Sequence, residues 1–140
     1  MVSPFFGRKL RVVTNWIATG AWGLALAVAI GAFGAHGLQG RLDDYSIKIY
    51  ERAVFYHFVH ALGVLIVAIA TQAGLLRRSA GVWVCRLLTA GVVLFSGSLY
   101  ALAITGNRML GAVTPFGGLA FIAAWVVLAI SAARPRPPAL

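Results

Sequence analysis

The sequence predicts an all-α integral membrane protein, a four-helix bundle with both termini on the cytoplasmic side, and three observations lead there. The 140 residues are 61% hydrophobic and 11% charged, with a mean hydropathy of +0.89, against about 45–50% and 25% in soluble domains. The apolar residues gather into four runs, each about the 20 residues that a helix needs to cross a hydrocarbon core of about 30 Å. The basic residues, 12 against 3 acidic ones, fall mostly in alternate connections between these runs. A chain of this length is one domain.

The first run covers about 16–35 and holds no charge. It is longer than the apolar region of a secretory signal, about 7–15 residues, so it is expected to remain as an anchor despite small residues at Ala32-Phe33-Gly34. The second run covers about 53–71. Asp43 or Asp44 can cap a helix that pairs Asp44 with Lys48 one turn on and continues directly into this run. The third covers about 87–105 and the fourth about 114–133, where Thr114-Pro115 reads as an N-cap followed by proline at the first helical position. Pro135 to Pro138 stop the fourth helix, so 134–140 is expected to be a flexible, extended tail. None of the runs alternates polar and apolar residues at period two, which argues against strands.

Charge orients the four spans. Arg8, Lys9, Arg11, Arg77, Arg78, Arg86, Arg134 and Arg136 fall on one side, eight in all. Only Arg41, Lys48, Arg52 and Arg108 fall on the other, with all three acids, Asp43, Asp44 and Glu51. The positive-inside rule then places both termini in the cytoplasm of a multi-pass protein of the cell inner membrane. The net charge of +9 and pI near 11.2 follow from this topology and suit anionic lipid headgroups. No basic run is interleaved with aromatics, so nucleic acid is not an expected partner. The lone Cys85 offers neither an internal disulfide nor a thiolate zinc site.

Helices in lipid associate through close backbone approach at small residues. Gly23, Ala27, Gly31 and Ala35 form such a stripe in the first span, and Gly117 and Gly118 offer another in the fourth. Packing within the bundle accounts for both; the sharper reading is a docking face for another subunit. The series Gly31, Gly34, Gly37 and Gly40 would let the chain tighten or turn as it leaves the bilayer.

Polar side chains inside spans are costly and mark candidate sites. With both termini inside, His36 ends the first span at the outer face, and His57 and His60 lie about 6–11 Å below the start of the second at 1.5 Å per residue. Ser96, Ser98 and Tyr100 precede the end of the third by roughly 8–14 Å, and Thr114 opens the fourth. These residues and Tyr56 therefore cluster in the outer half, while Thr19 and Thr89 are the main polar groups of the inner half. His57 and His60 share a helix face and could present imidazoles to a metal or haem iron, with His36 as a third ligand. The plainer alternative is that each histidine bonds a neighbouring Ser, Tyr or carbonyl. Nothing resembles a nucleophile with its base, a phosphate-binding loop or paired catalytic carboxylates.

Four ordered motifs, Gly31-Ala32-Phe33-Gly34-Ala35-His36-Gly37, His60-Ala61-Leu62, Leu94-Phe95-Ser96-Gly97-Ser98-Leu99-Tyr100 and Thr114-Pro115-Phe116-Gly117-Gly118, resemble the YgdD-like small inner-membrane proteins, a family of unknown function with a relative in animal mitochondria. The resemblance covers about 15–133. It implies a four-helix membrane protein, and matches His36, His60, Ser96, Gly97, Ser98, Tyr100, Pro115, Gly117 and Gly118 to family positions, whereas His57 varies among relatives. It implies no activity.

The sequence is thus read as a non-enzymatic membrane protein, an accessory or structural subunit of a larger assembly, with the bilayer and other subunits or a second copy as partners and no cofactor. The alternatives are a redox protein holding metal or haem on His36, His60 and His57, and a small oligomeric transporter or channel lined by His60, Ser96, Ser98 and Tyr100.

Overall fold

The computed structural model describes residues 4–133, with side chains from 15 onward. The side chains of Arg8, Lys9 and Arg11, and the Pro-rich tail with Arg134 and Arg136, lie outside the described residues. The chain is all-helical: α1 (Pro4–Gly37), α2 (Asp44–Gln72), a third rod in three parts, and α5 (Thr114–Ala133). The third rod consists of α3 (Arg78–Gly91), a π-helical segment (Val92–Ser96) and α4 (Gly97–Thr105). Four helical stretches, Asn15–Gly37, Asp44–Gln72, Arg78–Thr105 and Arg108–Ala133, are long and apolar enough to cross a membrane.

Two helices begin well before the apolar runs that predict them. α2 starts at Asp44, ahead of its apolar run and where the capping residues place it, because Asp43 caps it: the Ser46 N–H donates to the Asp43 carboxylate at 2.7 Å. This bond holds the exposed Asp43 below the usual carboxylate range. The third rod starts at Arg78 rather than near 87, because its first turns are amphipathic and bury only Gly81, Val84, Cys85 and Leu88. An amphipathic entry of this kind is invisible to a search for continuous apolar residues. Helix ends are set by Gly74 and Gly106, whose φ of 73° and 69° only glycine adopts cheaply. The Gly106 N–H closes α4 on the Leu102 carbonyl at 2.8 Å.

Thr114 departs from its expected role. A 3-10 turn (Arg108–Ala112) leads into α5, and α5 already includes Thr114. Its hydroxyl lies across the bundle against Ser98 instead of capping its own helix.

α2 is the centre of the bundle, since α1 packs on it from one side and the third rod from the other, with α5 packed on the third rod. α1 and α2 run antiparallel at very short range. A side-chain carbon on Gly20 would lie 2.7 Å from the Leu65 nitrogen, one on Gly23 3.0 Å from Ala61, and one on Gly31 3.2 Å from Val54. Ala27 is fully buried between them. The small-residue stripe is therefore Gly20, Gly23, Ala27, Gly31 and Gly34, the last under the Tyr50 ring. Ala35 departs from the expected stripe: it is exposed, because a helix of 3.6 residues per turn drifts off a strict spacing of four.

The apolar core has two parts. Val64, Val67, Ala68, Val84, Cys85, Leu88, Phe121 and Ala124 join α2, α3 and α5. Leu38, Tyr50 and Ala103 close the end near the α1–α2 turn. Of the paired glycines in α5, Gly117 is buried with its Cα against the Phe95 backbone in the π segment, whereas at Gly118 an added carbon would meet only the Phe95 ring at 3.8 Å. Gly117→Ala is therefore expected to lower stability by about 1–3 kcal/mol, since backbone must move, and Gly118→Ala to leave it unchanged or raise it. Unfolding of both variants in mixed detergent micelles checks the contrast.

Candidate functional site

The polar side chains meet in a seam between α2 and the third rod. His57 Nδ1 lies 3.3 Å from the Tyr100 hydroxyl. The tautomer protonated on Nε2 lets Nδ1 accept from the tyrosine. His57 thus ties α2 to the third rod. Tyr50 extends the seam: its hydroxyl donates to the Ile30 carbonyl at 2.8 Å, and its ring sits 5.2 Å from that of Tyr100.

His60 is held differently. Its Nδ1 is 2.7 Å from the Tyr56 carbonyl, which can only accept, so in the neutral ring Nδ1 carries the proton and Nε2 presents a bare lone pair. The ring stacks on Phe121 with centroids 3.4 Å apart and is flanked by Tyr56 and Trp125. Among the described residues Nε2 has no hydrogen-bond partner.

At the opening of α5, the Ser98 hydroxyl donates to the Phe95 carbonyl at 3.0 Å and lies 2.8 Å from the Thr114 hydroxyl, which therefore donates to it. This pair fastens α4 to α5.

Ser96 is the exception among hydroxyls. Thr19, Thr71, Thr89 and Thr105 each donate to the carbonyl four residues back. The Ser96 hydroxyl is fully buried and, among the described residues, has no partner. Ser96 closes the π segment, in which the carbonyl four residues back, that of Val92, takes the Gly97 N–H in a bond one residue longer than the α-helical one. Ser96 lies one turn from Tyr100 and so on the same face. Since α2 and the third rod are antiparallel, the contact of Tyr100 with His57 places Ser96 at the level of His60 and Ala61.

The expected residues are thus only partly brought together. His57, His60, Ser96 and Tyr100 share one seam, and Ser98 and Thr114 pair beside it. His36 stands apart, exposed at the end of α1. The pairing of Gly23 with Ala61 and Gly31 with Val54 sets Ala27 level with His57, so His36 lies nine residues further along, about 13 Å. Among the described residues, no three His, Cys, Asp or Glu side chains gather as a metal site. Tyr50 escaped the sequence reading, although its place seven residues before His57 puts it on the same helix face.

Removing the hydroxyl of Tyr100 or of Ser98 takes away one bond that joins two helices. Tyr100→Phe and Ser98→Ala are each expected to cost about 0.5–1.5 kcal/mol. Thr19→Val, whose hydroxyl bonds only its own helix at the Asn15 carbonyl, serves as the unaffected control in the same micellar unfolding measurement.

Comparison with known proteins agrees with a membrane protein. Residues 30–118 match the family described as "Protein of unknown function (DUF423)". The UPF0382 membrane protein YwdK of Bacillus subtilis is 43% identical over 121 residues, which cover 85% of this chain and 96% of the relative. The UPF0382 membrane protein SH2409 of Staphylococcus haemolyticus is 47% identical over 116 residues, 83% of this chain and 93% of the relative. No solved structure matches. The chain therefore belongs to the DUF423 family, with the UPF0382 membrane proteins as its relatives.

Proposed function

We propose that the protein is a non-enzymatic accessory subunit of a larger bacterial membrane assembly, both termini in the cytoplasm, and that it docks through the open flank of α1. Within its family, the four ordered motifs ally it with the YgdD-like members. The observation that carries the docking reading is a groove of about 690 Å³ between α1 and α2. Its floor is made of Gly31, Ala32, Gly34 and Ala35, and Phe55 and Phe58 stand beside it. Small residues facing outward between larger walls let a second backbone approach closely, which is how helices bind in lipid. Ala35, absent from the α1–α2 contact, belongs to this outer floor, and the occupant is a transmembrane helix of another subunit. Placing a photo-crosslinking phenylalanine analogue at Ala35 is expected to give one discrete adduct in native membranes, and Ala32→Trp, which fills the groove, to abolish it. A matched probe at the exposed Ile122 of α5 should give none. The same diffuse products from both positions would overturn the reading.

A second reading rests on His60 and Ser96. A bare imidazole lone pair and an unpartnered hydroxyl at one level of one seam suit a small hydrogen-bonding molecule or a proton in transit better than a metal ion, for which a hydroxyl is a poor ligand. On this reading Ser96→Ala lowers stability, because the hydroxyl has a bound partner. A gain of about 1 kcal/mol, the return from deleting a buried hydroxyl that bonds nothing, would overturn it.

A further inference from the structure

At the end of the bundle opposite the α1–α2 turn, a second groove of about 460 Å³ runs between the start of α3 and the end of α5. Arg77, Ser79 and Ala80 stand at its mouth, with Ser131 across from them, and Trp83, Leu87 and Val127 line it further in. Ser79, Trp83 and Leu87 follow one another at intervals of four and so form one stripe of α3. Ser131 and Val127 are likewise one turn apart on α5, which runs the other way. Both walls therefore change from polar to apolar in the same direction, and Leu87 lies about 15 Å along the helix from Arg77.

The charge at this end is unbalanced. Arg77, Arg78 and Arg86 are close in sequence, and all three acids of the chain, Asp43, Asp44 and Glu51, lie at the other end of α2. No Asp or Glu side chain is available to neutralise these arginines. Arg86 is eight residues inside the third crossing, and its guanidinium lies 5.3 Å from the centroid of the exposed Trp83 ring. An arginine that folds back over a tryptophan in this way marks the depth at which chain and headgroups meet. The larger groove beside α1 has the opposite character, with the Glu51 carboxylate at its edge.

We propose that the α3–α5 groove holds one anionic phospholipid, its phosphate on Arg77 and the Ser79 and Ser131 hydroxyls, its acyl chain along Trp83, Leu87 and Val127. A cation and two hydroxyls at a mouth that leads into an apolar channel match an amphiphile with a charged head. A free inorganic anion would leave the channel unused, and a zwitterionic lipid would leave the arginine charge uncompensated.

Native mass spectrometry of the full chain, released from micelles containing equal amounts of phosphatidylglycerol and phosphatidylcholine, tests this. One phosphatidylglycerol retained per chain is expected, favoured about fivefold, as one added basic contact at a membrane surface would give. Arg77→Gln should abolish the preference and Arg77→Lys should keep it, while Arg41→Gln at the far end leaves it unchanged. In a chain with Trp16, Trp22 and Trp125 replaced by phenylalanine, brominated phosphatidylglycerol should quench Trp83, and excess inorganic phosphate should not relieve the quenching. Equal retention of the two lipids, an Arg77→Gln variant that binds as the parent does, or relief by inorganic phosphate alone would each overturn the proposal.

Discussion

Backbone contact at glycine is the constraint on which the rest of this bundle depends. Hydrocarbon surrounds every helix, so burying leucine between two of them gains little over leaving it in lipid. What gains is proximity, since dispersion falls steeply with distance and a glycine removes the one atom that would hold two backbones apart. Gly20, Gly23 and Gly31 supply this between α1 and α2, and Gly117 supplies it between α5 and the π segment. The second contact has a consequence for chemistry. By bringing α5 against the Phe95 backbone it covers the widened turn that ends at Ser96, whose hydroxyl is buried there without a partner among the described residues.

The polar groups follow from the same arrangement. In lipid a hydroxyl must find an acceptor, and the cheapest is the carbonyl one turn back in its own helix. Thr19, Thr71, Thr89 and Thr105 take it, and in doing so contribute nothing to the joining of helices. Among the described residues, the hydroxyls and imidazole that reach across to another element are those of Tyr50, Tyr100, Ser98, Thr114 and His57, and all but His57 belong plainly to the half of the bundle nearer the α1–α2 turn. The two halves are thus held largely by different means: aliphatic side chains, Phe121 and Cys85, whose thiol donates to the Val64 carbonyl at 3.8 Å, join α2, α3 and α5 in one, hydroxyl and imidazole hydrogen bonds in the other. α1 takes part in both mainly through α2, which leaves most of its surface facing outward.

Much of this was legible in the sequence, and what was not has identifiable causes. Four helices, their order and the continuous start of α2 after Asp43 follow from hydropathy, length and capping, all of which are local. The extension of the third rod back to Arg78 required seeing that Gly81, Val84, Cys85 and Leu88 share one face, a period that an average over residues erases. The polar cluster was predicted as a shared depth, because rise per residue gives depth without reference to any partner. Which groups touch was not predictable, because contact depends on rotation about the helix axis. The π segment adds a residue to one turn and so rotates everything after it, which aims Tyr100 at His57 and leaves Ser96 and Ser98 in different environments. Thr114 has the composition of a cap and bonds across the bundle instead, since the 3-10 turn before it already leads the chain into α5.

The distribution of charge separates the two grooves more sharply than their shapes do. Both are open to lipid and both are mainly apolar, so either could accommodate an acyl chain or a helix by volume alone. Glu51 stands beside the α1–α2 groove and would repel an anionic headgroup, while small residues form its floor and permit a backbone to approach. Arg77 stands at the α3–α5 groove, where Trp83 and Leu87 are too bulky for a helix to come close, and no acid lies near enough to neutralise it. One groove therefore selects by distance and the other by charge. A lipid held on the α3–α5 flank would cover that groove and leave the flank of α1, with its small-residue floor, as the surface on which a second helix can come close.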